Sequence, residues 1–182
     1  MEIPLIELKN QFKQIRKEIE EAVTKVLKSG HYILGPNVRA LEEEVAAYCG
    51  TSYAVGVASG TDALRLSLLS LGVGENDEVI TTPFTFIATA EVITQIGAKP
   101  VFVDIEEDTF NLDVEKVEKA ITPKTRAILP VHLFGHPVNM GELLKIAEKY
   151  SLCVIEDAAQ SFGSECNVIA PSSSNSHWRK AG

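Results

Sequence analysis

The sequence predicts an α/β protein in which a mostly parallel sheet carries helices on both faces. Three observations support that expectation. Short apolar runs without polar alternation, such as YAVGVA, PVFVDI and LCVIED, read as strands buried on both sides. Between them lie segments with apolar residues at helical spacing, so that helix and strand take turns along the chain. The 182 residues, 45% hydrophobic and 23% charged, suffice for one sizeable core of ordinary soluble character.

The elements follow in order. Residues 9–29 set Phe12, Ile15, Ile19, Val23, Val26 and Leu27 on one helical face, with Gly30 placed as the stop. A second helix, 37–49, has Pro36 at its entrance, Val38, Leu41, Val45 and Tyr48 on one face, and Gly50 at its exit. Then the alternation begins: strand 53–58, helix 61–72, strand 77–82, helix 85–97, strand 100–105, helix 113–121, strand 125–131, helix 140–150 and strand 152–157. No internal repeat is present. After residue 163 a Ser/Asn cluster and a proline without any sustained period predict a loop or disordered tail. Residues 1–165 are therefore expected to form part of one domain, and 166–182 an atypical tail.

Composition excludes several classes of function. A formal net charge of −8 and a pI near 5.0 argue against nucleic acid or an anionic membrane as partner, because both need a basic patch. The N-terminus carries acidic residues early and no continuous apolar stretch, and no run approaches membrane-spanning length. Cys49, Cys153 and Cys166 are widely spaced, two of them in apolar surroundings, which suits reduced core thiols and places the protein in the cytoplasm. His132 and His136 stand four apart, but Gly135 and Pro137 break the helix a zinc pair would need, and no metal site is expected. LGVGEND holds G-x-G after a helix instead of a strand, and no G-x-x-x-x-G-K-[ST] occurs, so nucleotide-binding loops are absent.

In an open parallel sheet the ligand crevice lies beyond the carboxyl ends of the strands. Four segments occupy such ends. ASGTDAL (58–64) opens a helix, where free N–H groups and the positive end of the dipole would suit a phosphate and Gly60 allows close approach. Taken alone, the same residues read as a helix cap by Ser59 and Thr61. TTPFTFIATA (81–90) could offer Phe84 or Phe86 to a planar ring, although by itself it reads better as core. PVHLFGHPVNM (130–140) puts His132 near a strand end, where it could line the cleft, and His136 in a turn.

VIEDAAQSFG (154–163) ends an apolar run with Glu156 and Asp157. Adjacent strand residues point to opposite faces, so only one of the two can enter the crevice, where it needs a cationic or protonated partner from the ligand. A phosphate cradle, an aromatic platform and a carboxylate on successive strand ends match a ligand with one phosphate, one planar ring and one basic ring nitrogen. Pyridoxal 5′-phosphate (PLP) has those parts.

The ordered set SGTDAL, TPFTFIATA, PVHLFGHPVNM and VIEDAAQSFG, preceded by GHYILGPNVRALEEEVAAYCG, resembles the DegT/StrS-type family of PLP-dependent sugar aminotransferases, over residues 3–165. The resemblance implies the N-terminal part of a fold-type I aminotransferase large domain, working as a homodimer with active sites between subunits. It assigns Gly60, Thr61 and Asp62 to the cofactor phosphate and Phe86 to the ring face. Asp157 goes to the protonated ring nitrogen, Gln160 to the ring's hydroxyl side, and Glu156 faces away. The loop carrying His31 and Tyr32 is implied to approach the substrate. The implied reaction moves an amino group from an amino acid, glutamate by family habit, to a keto group of a nucleotide-linked sugar.

One departure from the family pattern matters. The family's Schiff-base lysine follows a strand of the type F-S-F well after the Asp-x-x-Gln pair, and no such strand occurs in 164–182. Lys180 is the only lysine after Gln160, and its setting, SNSHWRKAG, does not match. The expectation is a chain truncated before that lysine and inactive alone. The alternative is a catalytically silent remnant or interaction module that binds PLP weakly or dimerises with a complete paralogue.

Overall fold

A computed structural model describes residues 6–169 and 176–181. The chain opens with α1 (Leu8–Ser29), stopped by Gly30 in the left-handed conformation, and α2 (Pro36–Cys49), stopped in the same way by Gly50. Next comes α3 (Gly60–Ser70), followed by a strict alternation of β1 (Glu78–Thr81), α4 (Ala88–Gln95), β2 (Lys99–Phe102), α5 (Val114–Ala120), β3 (Thr125–Ile128), α6 (Met140–Tyr150) and β4 (Cys153–Val154). These four strands form one sheet in the order β2-β1-β3-β4, parallel at every pairing. The α/β class and parallel sheet expected from the sequence are what the structure contains.

Alternation along the strands divides the core into two layers. On one face Val79, Ala127 and Leu129 meet Leu64 and Leu68 of α3 and Val92 and Ile93 of α4. On the other, Ile80 and Ile128 meet Val114 and Val117 of α5 and Met140, Leu143 and Ala147 of α6. Every residue of β1 is buried, which explains why its sequence shows no polar alternation. The helix limits have local causes. Ser59, Asp113 and Asn139 accept N–H bonds into the first turns of α3, α5 and α6, and Ser151 ends α6 in a left-handed conformation.

Two expectations are corrected. Residues 53–58 are not a strand: no neighbouring strand among the described residues offers them a ladder. Their backbone bonds go to side chains instead, Gly56 N–H donating to Glu42 Oε1 at 2.7 Å and the Tyr53 carbonyl accepting from Thr51 Oγ1 at 3.1 Å. Tyr53 and Val55 consequently stand 87% and 77% exposed. The tail is not a loop either. β5 (Glu165–Ile169) and β6 (Ser176–Lys180) pair antiparallel, and Val168 packs into the core layer of α5 and α6. A residue run without period can still form a hairpin when one buried side chain on one strand anchors it. Residues 170–175, which hold most of the Ser/Asn cluster of the expected loop, lie outside the described residues.

The thiols also differ from expectation: all three are free, but Cys153 is exposed and Cys49 and Cys166 are only half-buried. Burial pushes the Cys166 thiol above its ordinary pKa. Among the described residues no helix is long and apolar enough to cross a membrane, and no cluster of metal-binding side chains occurs.

Candidate functional site

The end of β4 resolves the two-carboxylate puzzle. Beyond Val154 the chain stays in register: Ile155 N–H donates to Ile128 O at 3.0 Å, Asp157 N–H to Pro130 O at 2.9 Å, and His132 N–H to Asp157 O at 3.1 Å. Ile155 packs into the layer of α3 and α4, whereas Leu152 and Val154 pack into that of α5 and α6. The pleat therefore sends Asp157 toward α3 and α4 and Glu156 to the opposite side.

Each carboxylate meets a different partner. Glu156 Oε2 lies 2.9 Å from Nε2 of His132, which is completely buried. Nδ1 of the same ring accepts the Val138 N–H at 3.1 Å, so it carries no proton and Nε2 must be the donor to Glu156. This His132 is a neutral, satisfied core group and does not line the cleft, contrary to expectation. Asp157 is only half-buried. Its Oδ2 accepts from Thr89 Oγ1 of α4 at 3.0 Å and its Oδ1 from the Ala159 N–H at 3.2 Å.

At the start of α3, Ser59 Oγ accepts the Asp62 N–H at 3.1 Å, and Ser59 O accepts the Ala63 N–H at 3.0 Å. Ser59 caps the helix, and no cap bond from Thr61 occurs among the described residues. The cap consumes the Asp62 amide, while the Gly60 and Thr61 amides, the first two of the helix, have no intrahelical acceptor. A Cβ at Gly60 would meet nothing within 4 Å, and its φ is not in the left-handed region. Nothing inside the fold requires glycine at this position. Leu64, one turn further on, shares its core layer with Val131, Leu133 and Ile155.

Neither phenylalanine of 81–90 is core. Phe84 joins an exposed aromatic cluster, 6.1 Å from the Phe110 ring and 6.5 Å from that of Phe134. Phe86 stands 76% exposed at the entrance of α4, with its face open. Phe110 and Phe134 both adopt positive φ, 60° and 55°, a costly conformation for a bulky side chain, worth about 1–3 kcal/mol each. The buried Asn111 sustains the turn Leu133–Gly135, accepting the Leu133 N–H and donating to the His136 carbonyl.

Gln160 is exposed, and its Oε1 accepts the Phe134 N–H at 2.9 Å. The loop after it is clamped from α2: Phe162 stacks on Tyr48 at 5.2 Å, and at Gly163, with φ of 88°, a Cβ would come within 2.6 Å of the Tyr48 hydroxyl. The ammonium of Lys180 sits 3.3 Å above the same Tyr48 ring. Asp62 pairs with Arg65 at 3.4 Å. His31 and Tyr32 lie apart from this assembly in the connection between α1 and α2, where the His31 N–H donates to Ser29 Oγ and the Tyr32 hydroxyl to Leu27 O. Sequence reasoning missed Thr85 and Thr89. Their only signal was two hydroxyls four apart in an otherwise apolar helix entrance.

Residues 13–169 match the DegT/DnrJ/EryC1/StrS aminotransferase family. The chain belongs to that family. It is 50% identical over 161 residues to the UDP-2-acetamido-2-deoxy-3-oxo-D-glucuronate aminotransferase of Pseudomonas aeruginosa, an alignment covering 88% of this chain and 45% of the relative. Among solved structures it is similar to S. venezuelae DesV in complex with a ketimine intermediate, with a TM-score of 0.86 and 49% identity over 87% of this chain and 43% of the other. It is also similar to ntda from Bacillus subtilis with bound cofactor PMP, with a TM-score of 0.86 and 37% identity over 89% and 38% of the two chains. The chain thus spans less than half the length of these DegT/DnrJ/EryC1/StrS relatives, and its parallel sheet and flanking helices match part of the fold-type I aminotransferase fold.

Proposed function

We propose that this chain carries the cofactor-binding part of a PLP-dependent aminotransferase acting on a nucleotide-linked keto sugar with an amino acid, glutamate, as donor. The observation that carries the reading is Asp157. Its carboxylate is half-buried at a strand end and oriented by two hydrogen bonds, on the face opposite the satisfied Glu156–His132 pair. The residues present suit PLP. A carboxylate with no basic side chain bonded to it among the described residues complements a protonated ring nitrogen, and the Gly60 and Thr61 amides, with open space at Gly60, complement a phosphate. Phe86 offers the exposed ring face.

When bound, PLP supplies an electron sink for the carbanion left by proton removal at the substrate's α-carbon. In this reading Asp157 holds the proton on the ring nitrogen and so keeps the sink effective. The α3 amides fix the phosphate, Phe86 limits tilting of the ring, and Gln160 meets its hydroxyl edge. The reading extends to a cytoplasmic homodimer whose His31–Tyr32 loop reaches substrate, as the family resemblance implies. A second reading rests on Lys180. Its ammonium is engaged by the Tyr48 ring, which supports a chain that binds cofactor yet is silent in transamination on its own.

The test is titration of the purified chain with PLP, followed by absorbance and by quenching of intrinsic fluorescence. Saturable binding that weakens at least tenfold in both variants is expected, in Asp157→Asn through the loss of one charge-assisted contact and in Gly60→Ala because the methyl would fill the open space a phosphate needs at the helix start. Binding that neither substitution changes would sink the reading. Borohydride is expected to trap no adduct on Lys180, and a stable adduct there would overturn the silent version.

A further inference from the structure

We infer that Thr89, backed by Thr85, is a positioning residue that sets the orientation of the Asp157 carboxylate toward the ring nitrogen. The inference rests on the cofactor reading above. Thr89 is 1% exposed and lies 68 residues from Asp157 in sequence, yet its Oγ1 donates to Oδ2 at 3.0 Å. A helical threonine ordinarily returns its hydroxyl to a carbonyl of its own preceding turn. Thr94, on the same helix, does so, donating to Glu91 O at 2.8 Å. Thr89 instead spans the gap between α4 and the end of β4.

The direction of the chain of hydroxyls follows from the chemistry. An ionised carboxylate only accepts, so the single proton of Thr89 goes to Asp157, and Thr89 Oγ1 is left to accept from Thr85 Oγ1, 3.1 Å away. Thr85 therefore polarises Thr89, which strengthens the bond to Asp157. With the Ala159 N–H on Oδ1, both carboxylate oxygens are held, and the plane of the group is fixed before any ligand arrives. Removing Thr89's hydroxyl leaves Oδ2 without a protein donor among the described residues and frees the side chain to rotate.

The test uses Thr89→Val, which keeps shape without the hydroxyl, and Thr89→Ser, which restores the hydroxyl. In the cofactor-free chain, three-bond couplings to the Asp157 carboxyl carbon report its χ1 rotamer. One rotamer is expected in the parent and in Thr89→Ser, with averaging in Thr89→Val. A single unchanged rotamer in Thr89→Val overturns the inference, whether or not cofactor binds. Pyridoxamine 5′-phosphate is then titrated into all three. Affinity is expected to fall about tenfold in Thr89→Val and to recover in Thr89→Ser, the loss of one hydrogen bond to a charged group. Equal affinities in Thr89→Val and the parent also overturn the inference. Failure of the parent to bind at all instead overturns the cofactor reading, and the couplings still decide what orients Asp157.

Discussion

The two ends of this chain use the same helical pattern to different effect. In α6 the apolar positions Met140, Leu143 and Ala147 disappear into the core, and the helix lies against the sheet. In α1, the longer helix and just as clearly two-sided, no residue is buried, and Phe12, Ile15, Ile19, Val23 and Leu27 stay between 37% and 59% exposed. Apolar runs repeat the contrast: β1 is fully buried, while Tyr53, Val55 and Val57 of the unpaired run 53–58 face solvent. A periodic pattern states which face wants cover. Whether the cover lies within the same chain is a separate fact.

Hydrogen exchange sharpens that contrast most. Amides of β1 and β3 are expected to exchange only through global opening, slowed by a factor of about 10³ or more, whereas those of 53–58, apart from Gly56 with its bond to Glu42, exchange near the open-chain rate. Comparable protection in the two regions would break the comparison. Urea unfolding provides the next measure. Leu129→Ala, at a fully buried position, is expected to cost about 2–5 kcal/mol, while Ile19→Ala on α1 stays within about 0.5 kcal/mol.

A smaller effect concerns the floor of the packed half, at the start of β1. The Thr122 hydroxyl, and then Lys99, hold Glu78 below its ordinary carboxylate value of 4.5. A depressed folded pKa stabilises the protein above the ordinary value, and that stabilisation disappears as pH falls through the lower one. Glu78→Gln should therefore flatten the loss of stability seen below about pH 4.5 in acid titrations of the unfolding midpoint. Smallest of all, Gly60→Ala is expected to leave the unfolding midpoint within about 0.5 kcal/mol, because the added methyl meets open space. A large loss of stability there would mean that glycine serves the fold after all.

Much of this architecture was legible in the sequence, for local reasons. Residues 140–150 were read as a helix with the limits the structure gives, because Asn139 caps the first turn and the apolar spacing is regular. Strands were read longer than their ladders, since an apolar run continues past the last paired residue: 125–131 became Thr125–Ile128 plus an isolated bridge at Val131. Residues 53–58 misled because a strand needs a neighbour, and a sequence does not announce whether one is at hand. At the site, the opposition of Glu156 and Asp157 followed from the pleat alone. The partners did not, because His132 reaches Glu156 across 24 residues and Thr89 reaches Asp157 across 68.

Gln160 carries a last consequence. An amide side chain is two-ended, and a free one can turn either its oxygen or its nitrogen toward a visitor. Here the amide of Phe134, itself in the left-handed conformation, has captured the oxygen. The NH₂ end keeps both its hydrogens to offer, so this corner of the molecule leans toward visitors that bring lone pairs, a polarity set before any guest appears.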